Sequence, residues 1–267
     1  MNYVTMSLEV HMIKEKTLDI LKEIMKEVGV YQVEKFYSRS FKIETKSTDI
    51  DMVTEVDKNS ENMLIEKLSS HFPETGFLAE ESSDRQDDND YIWVIDPLDG
   101  TTNFSIGVPI FAISIGLQYK GQTILGAVYH PILGHMYSAI KDQGAYKNDQ
   151  KISVNDTQTL RSSVIATGFP YDRAENPINN VKEISRIAPK VKGIRRLGVA
   201  AYDLCLVSEG VFSGYWEYGL KPWDYVAGLL IANEAGATYH PLPDREGSMI
   251  VSNPNIFEEL KSIVIDN

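Results

Sequence analysis

The run Trp93-Val94-Ile95-Asp96-Pro97-Leu98-Asp99-Gly100-Thr101-Thr102-Asn103-Phe104 sets two carboxylates three residues apart behind a short apolar stretch. Pro97 restrains the backbone between them, because its ring fixes φ, and Gly100 permits a tight turn. Thr101 and Thr102 then offer hydroxyls, and the backbone N–H groups of such a turn can hold a phosphate. Carboxylates at a strand's end beside an anion cradle are what a Mg²⁺-phosphate site requires. Taken alone, the same string also builds an Asx turn and a helix cap.

Further acids surround it in sequence. Asp51 lies in Asp51-Met52-Val53-Thr54-Glu55-Val56-Asp57, and Glu80 in Phe77-Leu78-Ala79-Glu80-Glu81-Ser82. Asp224 follows Trp223 at the start of an apolar stretch, where an N-cap is the plainest role for it. Singly, each reads as solvated surface or a cap. The five histidines show no ligand spacing. Other phosphate chemistries lack their motifs: there is no Asp-x-Asp-x-Thr loop, no Cys-x5-Arg loop and no Gly-x4-Gly-Lys-Ser/Thr P-loop.

Together these segments resemble the inositol monophosphatase family of Mg²⁺-dependent, lithium-sensitive sugar phosphatases. The resemblance rests on Asp51-x-Val53-Thr54-x-x-Asp57, Glu80-Glu81-Ser82, the Trp93–Phe104 string, Tyr215-Trp216-Glu217 and Trp223-Asp224-x-x-Ala227-Gly228, and it covers nearly the whole chain. It implies Glu80, Asp96, Asp99 and Asp224 as metal ligands, joined by the Leu98 carbonyl. It implies that Asp51 orients the Thr101 hydroxyl and that Glu80 and Thr101 position and activate the attacking water. Asp99, Gly100, Thr101, Thr102 and Asp224 are implied around the phosphate and substrate, Glu217 at substrate hydroxyls, and Gly198 and Ala200 in the pocket wall. Convergence of Asp51, Glu80, Asp96, Asp99 and Asp224 would force several to protonate or repel without cations. Two or three Mg²⁺ remove that conflict and make a protein nucleophile unnecessary. Two departures bear on backbone shape alone: Ala79 stands where the family usually has Gly, and Asn148-Asp149 where a loop often reads Asn-Gly.

The expected substrate is inositol monophosphate or a similar small polyol or sugar phosphate. Fructose 1,6-bisphosphate, 3′-phosphoadenosine 5′-phosphate and the 2′-phosphate of NADP are alternatives within the same chemistry, and Glu217 favours a neutral polyol. A protein-binding role in transcription antitermination is the alternative from another class. The family implies a homodimer.

Elements must bring these residues together. Ile13, Leu21, Ile24 and Val28 predict a helix over 8–28 with Gly29 as its stop. Met63, Leu64 and Leu68 predict a second over 56–70, started by Asp57 or Ser60. Residues 92–95 read as a buried strand, and 108–140 as an antiparallel meander punctuated at Gly121 and Gly134. Strand and helix then alternate: strands at 164–166, 191–197 and 215–217, helices at 178–188, 199–209 and 224–235. This predicts an N-terminal half over 1–144, helices plus antiparallel sheet carrying the metal site, and a C-terminal α/β half over 145–267. The resemblance implies the layered αβαβα sugar-phosphatase fold, an order the elements follow. Tyr and Trp at 215–223 read as core. Arg195-Arg196 reads as surface ion pairing, with a second phosphate or a dimer partner as alternatives. The acidic run from Glu80 to Asp90 reads as a mobile, solvated loop beyond Glu80.

The 267 residues carry 26 Lys+Arg against 38 Asp+Glu, a formal net charge of −12. That surplus argues against direct contact with nucleic acid or with anionic membranes. Cys205 is the only cysteine, so neither an intrachain disulfide nor a thiolate cluster is possible. No secretory h-region and no apolar run of membrane-spanning length is present, and a cytoplasmic protein is expected.

Overall fold

A computed structural model describes residues 3–45, 52–82 and 89–265. The chain opens with α1 (Tyr3–Ser38), then a short antiparallel ribbon of β1 (Ile43–Thr45) and β2 (Met52–Thr54), then α2 (Glu55–His71). The first half continues through β3 (Gly76–Ala79), β4 (Tyr91–Asp99), α3 (Thr101–Ile106), β5 (Ala112–Tyr119), β6 (Gln122–His130), β7 (His135–Ile140), β8 (Ala145–Lys147) and β9 (Gln150–Ile152). The second half holds β10 (Val164–Thr167), α4 (Val181–Ile187), β11 (Gly193–Arg195), α5 (Ala200–Ser208), β12 (Gly214–Glu217), α6 (Pro222–Glu234), β13 (Thr238–Pro241), β14 (Met249–Ser252) and α7 (Phe257–Ile265).

Two sheets organise these elements. One has seven strands in the order β3-β4-β5-β6-β7-β8-β9, antiparallel except for the β3–β4 pair. The other has five in the order β11-β10-β12-β14-β13, with the first three parallel. α1 and α2 cover the outer face of the larger sheet, where Leu21, Met25, Leu64, Trp93 and Ile115 form one core. α5 and α6 lie between the sheets over a second core that includes Val128, Tyr137, Leu204, Tyr215 and Ile231. α4 and α7 cover the far face of the smaller sheet through Ile187, Trp216, Ile250 and Leu260. The result is five layers, αβαβα, as the resemblance implied. Each sheet presents apolar residues on both faces and therefore needs helices on both.

Several boundaries differ from the sequence expectation. α1 does not stop at Gly29 but runs on to Ser38. Its buried stripe continues as Leu21, Met25, Val28, Gln32 and Phe36, a helical spacing that Gly29 leaves intact. A Cβ at Gly29 would lie 2.6 Å from the Tyr129 ring, so the glycine admits β6 to the helix surface. α2 is capped by Thr54, not by Asp57 or Ser60, and Asp57 completes a capping box at the third helical position. α6 starts at Pro222 after Lys221, which places Asp224 at its third position rather than at the N-cap. The larger sheet extends to Ile152, so a division at residue 144 falls inside it.

Both departures from the family pattern fit their backbone. Ala79 ends β3 without positive φ, whereas Asn148 and Asp149 adopt φ of 47° and 62° in the turn between β8 and β9. Residues 83–88 of the acidic run, expected as a solvated loop, lie outside the described residues.

Candidate active site

The end of β4 carries the central residues. Its pairing with β5 slips between Asp96 and Asp99, an irregularity that turns the strand's end away from the ladder. Asp96 Oδ1 accepts the Leu98 N–H at 2.9 Å, closing a small turn across Pro97. Gly100 then takes φ of +97°, with Val199 and the Ile110 carbonyl only 2.8 and 3.1 Å from where a Cβ would stand. Only glycine meets both the left-handed backbone and the crowding there. The chain enters α3 at Thr101.

Thr101 is buried, and its hydroxyl donates to Asp57 Oδ1 at 2.7 Å, with the Leu98 carbonyl 3.1 Å away. Asp57 Oδ2 in turn accepts from the Thr54 N–H at 2.8 Å and the Thr54 hydroxyl at 2.5 Å. Asp51, expected to orient Thr101, lies outside the described residues. The carboxylate that receives the Thr101 hydroxyl is Asp57. Its signal was present in the sequence: Thr54-x-x-Asp57 ahead of an apolar run is a capping box, which fixes an acid at a helix start.

The other acids arrive from β4 itself and from three further elements. Glu80 follows β3 and donates its N–H to the Ile95 carbonyl at 3.2 Å. Asp99 Oδ2 accepts the Ala201 N–H at 2.8 Å, tying β4 to the first turn of α5. Asp224 accepts the Lys221 N–H at 2.7 Å in the first turn of α6. Glu217 ends β12 and accepts the Tyr215 hydroxyl. Its carboxylate fills the space where a Cβ at Gly168 would stand. Glu80, Asp96, Leu98, Asp99, Gly100, Thr101, Gly198, Ala200, Glu217 and Asp224 all border one cavity of about 410 Å³. Thr102 lies one residue along α3 and does not line it.

Crowded acids in a buried pocket resist ionisation. Burial first, and then Glu80, hold Asp96 well above the usual carboxylate range. Asp99 is raised by burial and by Asp224. Asp224 is pushed to about 8 by burial and Glu80. Burial raises Glu217 to about 7, against the lowering effects of the Tyr215 hydroxyl and the Arg196 charge.

A divalent cation suits this donor set. The donors are carboxylates and one backbone carbonyl, all hard oxygens. Among the described residues no three acidic, His or Cys side chains are gathered closely enough to cage an ion by themselves. Mg²⁺ ordinarily takes one or two carboxylates and completes its shell with water and phosphate oxygens, so acids that share one cavity fit it.

Some wall residues were not anticipated. Arg196, read from sequence as a surface residue, lines the cavity. Tyr171, Asp172, Lys221 and Arg245 do so as well, and Arg245 pairs with Asp172 at 2.8 Å. Tyr215 and Trp216 are core, as expected, but Trp223 faces the cavity.

The sequence model of the inositol monophosphatase family matches residues 14–263. An inositol-1-monophosphatase of Synechocystis is 36% identical over 249 residues, covering 91% of this chain and 86% of its own length. The Nus factor SuhB of Pasteurella multocida is 37% identical over 236 residues, covering 85% and 88%. The solved structure of the extragenic suppressor protein suhB of Bartonella henselae matches with a TM-score of 0.88 at 31% identity, over 94% of this chain and 99% of that one.

Proposed function

The chain belongs to the inositol monophosphatase family and is a phosphatase, and we propose that it hydrolyses inositol monophosphate, or a similar small polyol phosphate, to the alcohol and inorganic phosphate. The observation that carries this reading is the single cavity bordered by Glu80, Asp96, Asp99 and Asp224 together with Thr101 and Glu217. Glu80, Asp96, Asp99, Asp224 and the Leu98 carbonyl would hold two or three Mg²⁺. When bound, Mg²⁺ supplies charge neutralisation, a more acidic water and stabilisation of the leaving oxygen.

The chain's own residues do the positioning. Thr101 gives its only hydroxyl proton to Asp57, so its lone pairs are left to accept from a water in the cavity. Two Thr54 donors fix the Asp57 carboxylate in place. Glu80 stands on the same cavity and is the second acceptor for that water. Glu217, on the opposite element, accepts from substrate hydroxyls. Gly100 lets the backbone come close to a phosphate. On the same reading the enzyme is a cytoplasmic homodimer without direct nucleic-acid or membrane contacts. Among the described residues no helix is long and apolar enough to cross a membrane.

Phosphate release from inositol 1-phosphate with Mg²⁺, with EDTA and in Asp96→Asn tests the proposal. Loss of release in both EDTA and the variant is expected, and activity indifferent to either refutes the mechanism. Fructose 1,6-bisphosphate, 3′-phosphoadenosine 5′-phosphate and NADP in the same assay rank the acceptors. The relative named as a Nus factor favours a second, compatible reading, a protein-binding role in antitermination. Recovery of RNA polymerase-associated factors on an Asp96→Asn bait tests it independently of catalysis.

A further inference from the structure

Gln32 is fully buried on α1, far from the acidic motifs in sequence, and its side-chain amide reaches the catalytic turn. Its Nε2 donates to the Pro97 carbonyl at 2.7 Å and to Ser60 Oγ at 3.1 Å. The assignment follows from chemistry: Pro97 O can only accept, so the amide nitrogen must face it. The Gln32 Oε1 that results has no hydrogen-bond partner among the described residues. A buried acceptor left without a donor is costly, and an apolar residue on this stripe of α1 would avoid that cost. The amide therefore requires a reason.

The reason lies in the peptide it touches. The Pro97–Leu98 peptide is held at both ends, its carbonyl by Gln32 and its N–H by Asp96 Oδ1 at 2.9 Å. Pinning that plane anchors the peptide that leads into Leu98, whose carbonyl stands 3.1 Å from the Thr101 hydroxyl. It also holds the Asp96 carboxylate in one rotamer. We propose that Gln32 is a positioning residue that pre-sets the Asp96–Asp99 turn for cation binding by clamping the Pro97 carbonyl, an inference that rests on the Mg²⁺ reading of the site.

The test measures Mg²⁺ binding by titration calorimetry without substrate, alongside steady-state kinetics. Gln32→Met keeps length and packing but removes both donors. Its Mg²⁺ dissociation constant and its half-saturating Mg²⁺ are expected to rise about tenfold, as for other groups that orient metal ligands. Its kcat at saturating Mg²⁺ is expected to stay within about twofold of wild type. Ser60→Ala removes the other contact and is expected to leave Mg²⁺ affinity unchanged. A merely structural Gln32 would lower the melting temperature with no change in Mg²⁺ affinity, and that result overturns the clamp. Hydrogen exchange of metal-free wild type gives a reading that needs no variant: the Leu98 amide is expected to be protected, and free exchange there overturns the proposal. A wild-type protein that takes up no Mg²⁺ overturns both the clamp and the function on which it rests, whereas an unchanged affinity in folded Gln32→Met overturns the clamp alone.

Discussion

Asp57 serves two ends with one carboxylate. It closes the capping box of α2 through Thr54 and receives the Thr101 hydroxyl at the cavity. The Thr101 hydroxyl and the two Thr54 groups all donate to it, so an amide in its place must turn an N–H against one of these donors. Asp57→Asn is expected to lower kcat about a hundredfold, the scale of losing positioned proton chemistry. It is also expected to cost about 1–2 kcal/mol through the cap. Kinetics and thermal melts on the same preparation check both, and an active variant of reduced stability would confine Asp57 to capping. The acids of the Trp93–Phe104 string were legible in sequence because their neighbours, Pro97 and Gly100, constrain the turn locally. That Asp57 meets the Thr101 hydroxyl follows from how α2 starts. Gln32 and Arg245 carried no local signal, since their roles exist only once distant segments pack.

At the scale of elements, α6 must bring Asp224 to the cavity while pressing against β5 and β6. Glycines on the facing surfaces make this possible. A Cβ at Gly126 would lie 3.0 Å from the Ala227 backbone, and one at Gly116 would lie 2.9 Å from Val226 Cγ2. Gly126→Val is therefore expected to push α6 off the sheet and to destabilise the protein by about 1–3 kcal/mol. The half-saturating Mg²⁺ is expected to rise with it, because Asp224 rides on that helix. Denaturant unfolding and a Mg²⁺ titration read the two effects, and a variant with wild-type values in both would show that the layer is loosely packed. The apolar periodicity of α6 was readable, but its start was not. Asp224 looks like an N-cap until Pro222 is recognised as the first helical residue, with its missing N–H harmless there. Gly29 misled in the opposite direction, since glycine marks a stop only when no partner element needs the room.

The whole molecule is a compromise between a stable fold and a crowded acidic interior. In the metal-free protein the folded-state pKa of Asp96, Asp99 and Asp224 lies above the unfolded value, with Asp224 near 8. As pH rises past the unfolded value near 4, the unfolded chain ionises while the folded one still holds its protons. Stability from these groups is therefore undiminished at low pH and falls as pH climbs towards 8. Mg²⁺ binds the deprotonated form and reverses the loss. The gain in melting temperature from Mg²⁺ over EDTA is expected to be larger at pH 8 than at pH 6. Paired thermal scans check it, and an equal gain at both values contradicts the linkage. The net charge of −12 is compatible with this picture, since bound Mg²⁺ would neutralise the site acids locally. The alternation of strands and helices made the layers legible from sequence, whereas the end of the larger sheet at Ile152 was not. Strands β8 and β9 are three residues each, too short for periodicity to show.

The cavity draws its walls from Glu80 through Arg245, from the end of β3 to the loop between β13 and β14. Synthesis delivers these residues in order, so a ribosome-bound chain holding β3 to β9 already displays Glu80, Asp96 and Asp99 but no Asp224. Competence arrives late, when α6 and then β14, the neighbour of the strand that carries Glu217, have left the exit tunnel and docked. Translation halted before that point yields an inert fragment rather than a weak enzyme, and the appearance of activity marks a chain made through β14.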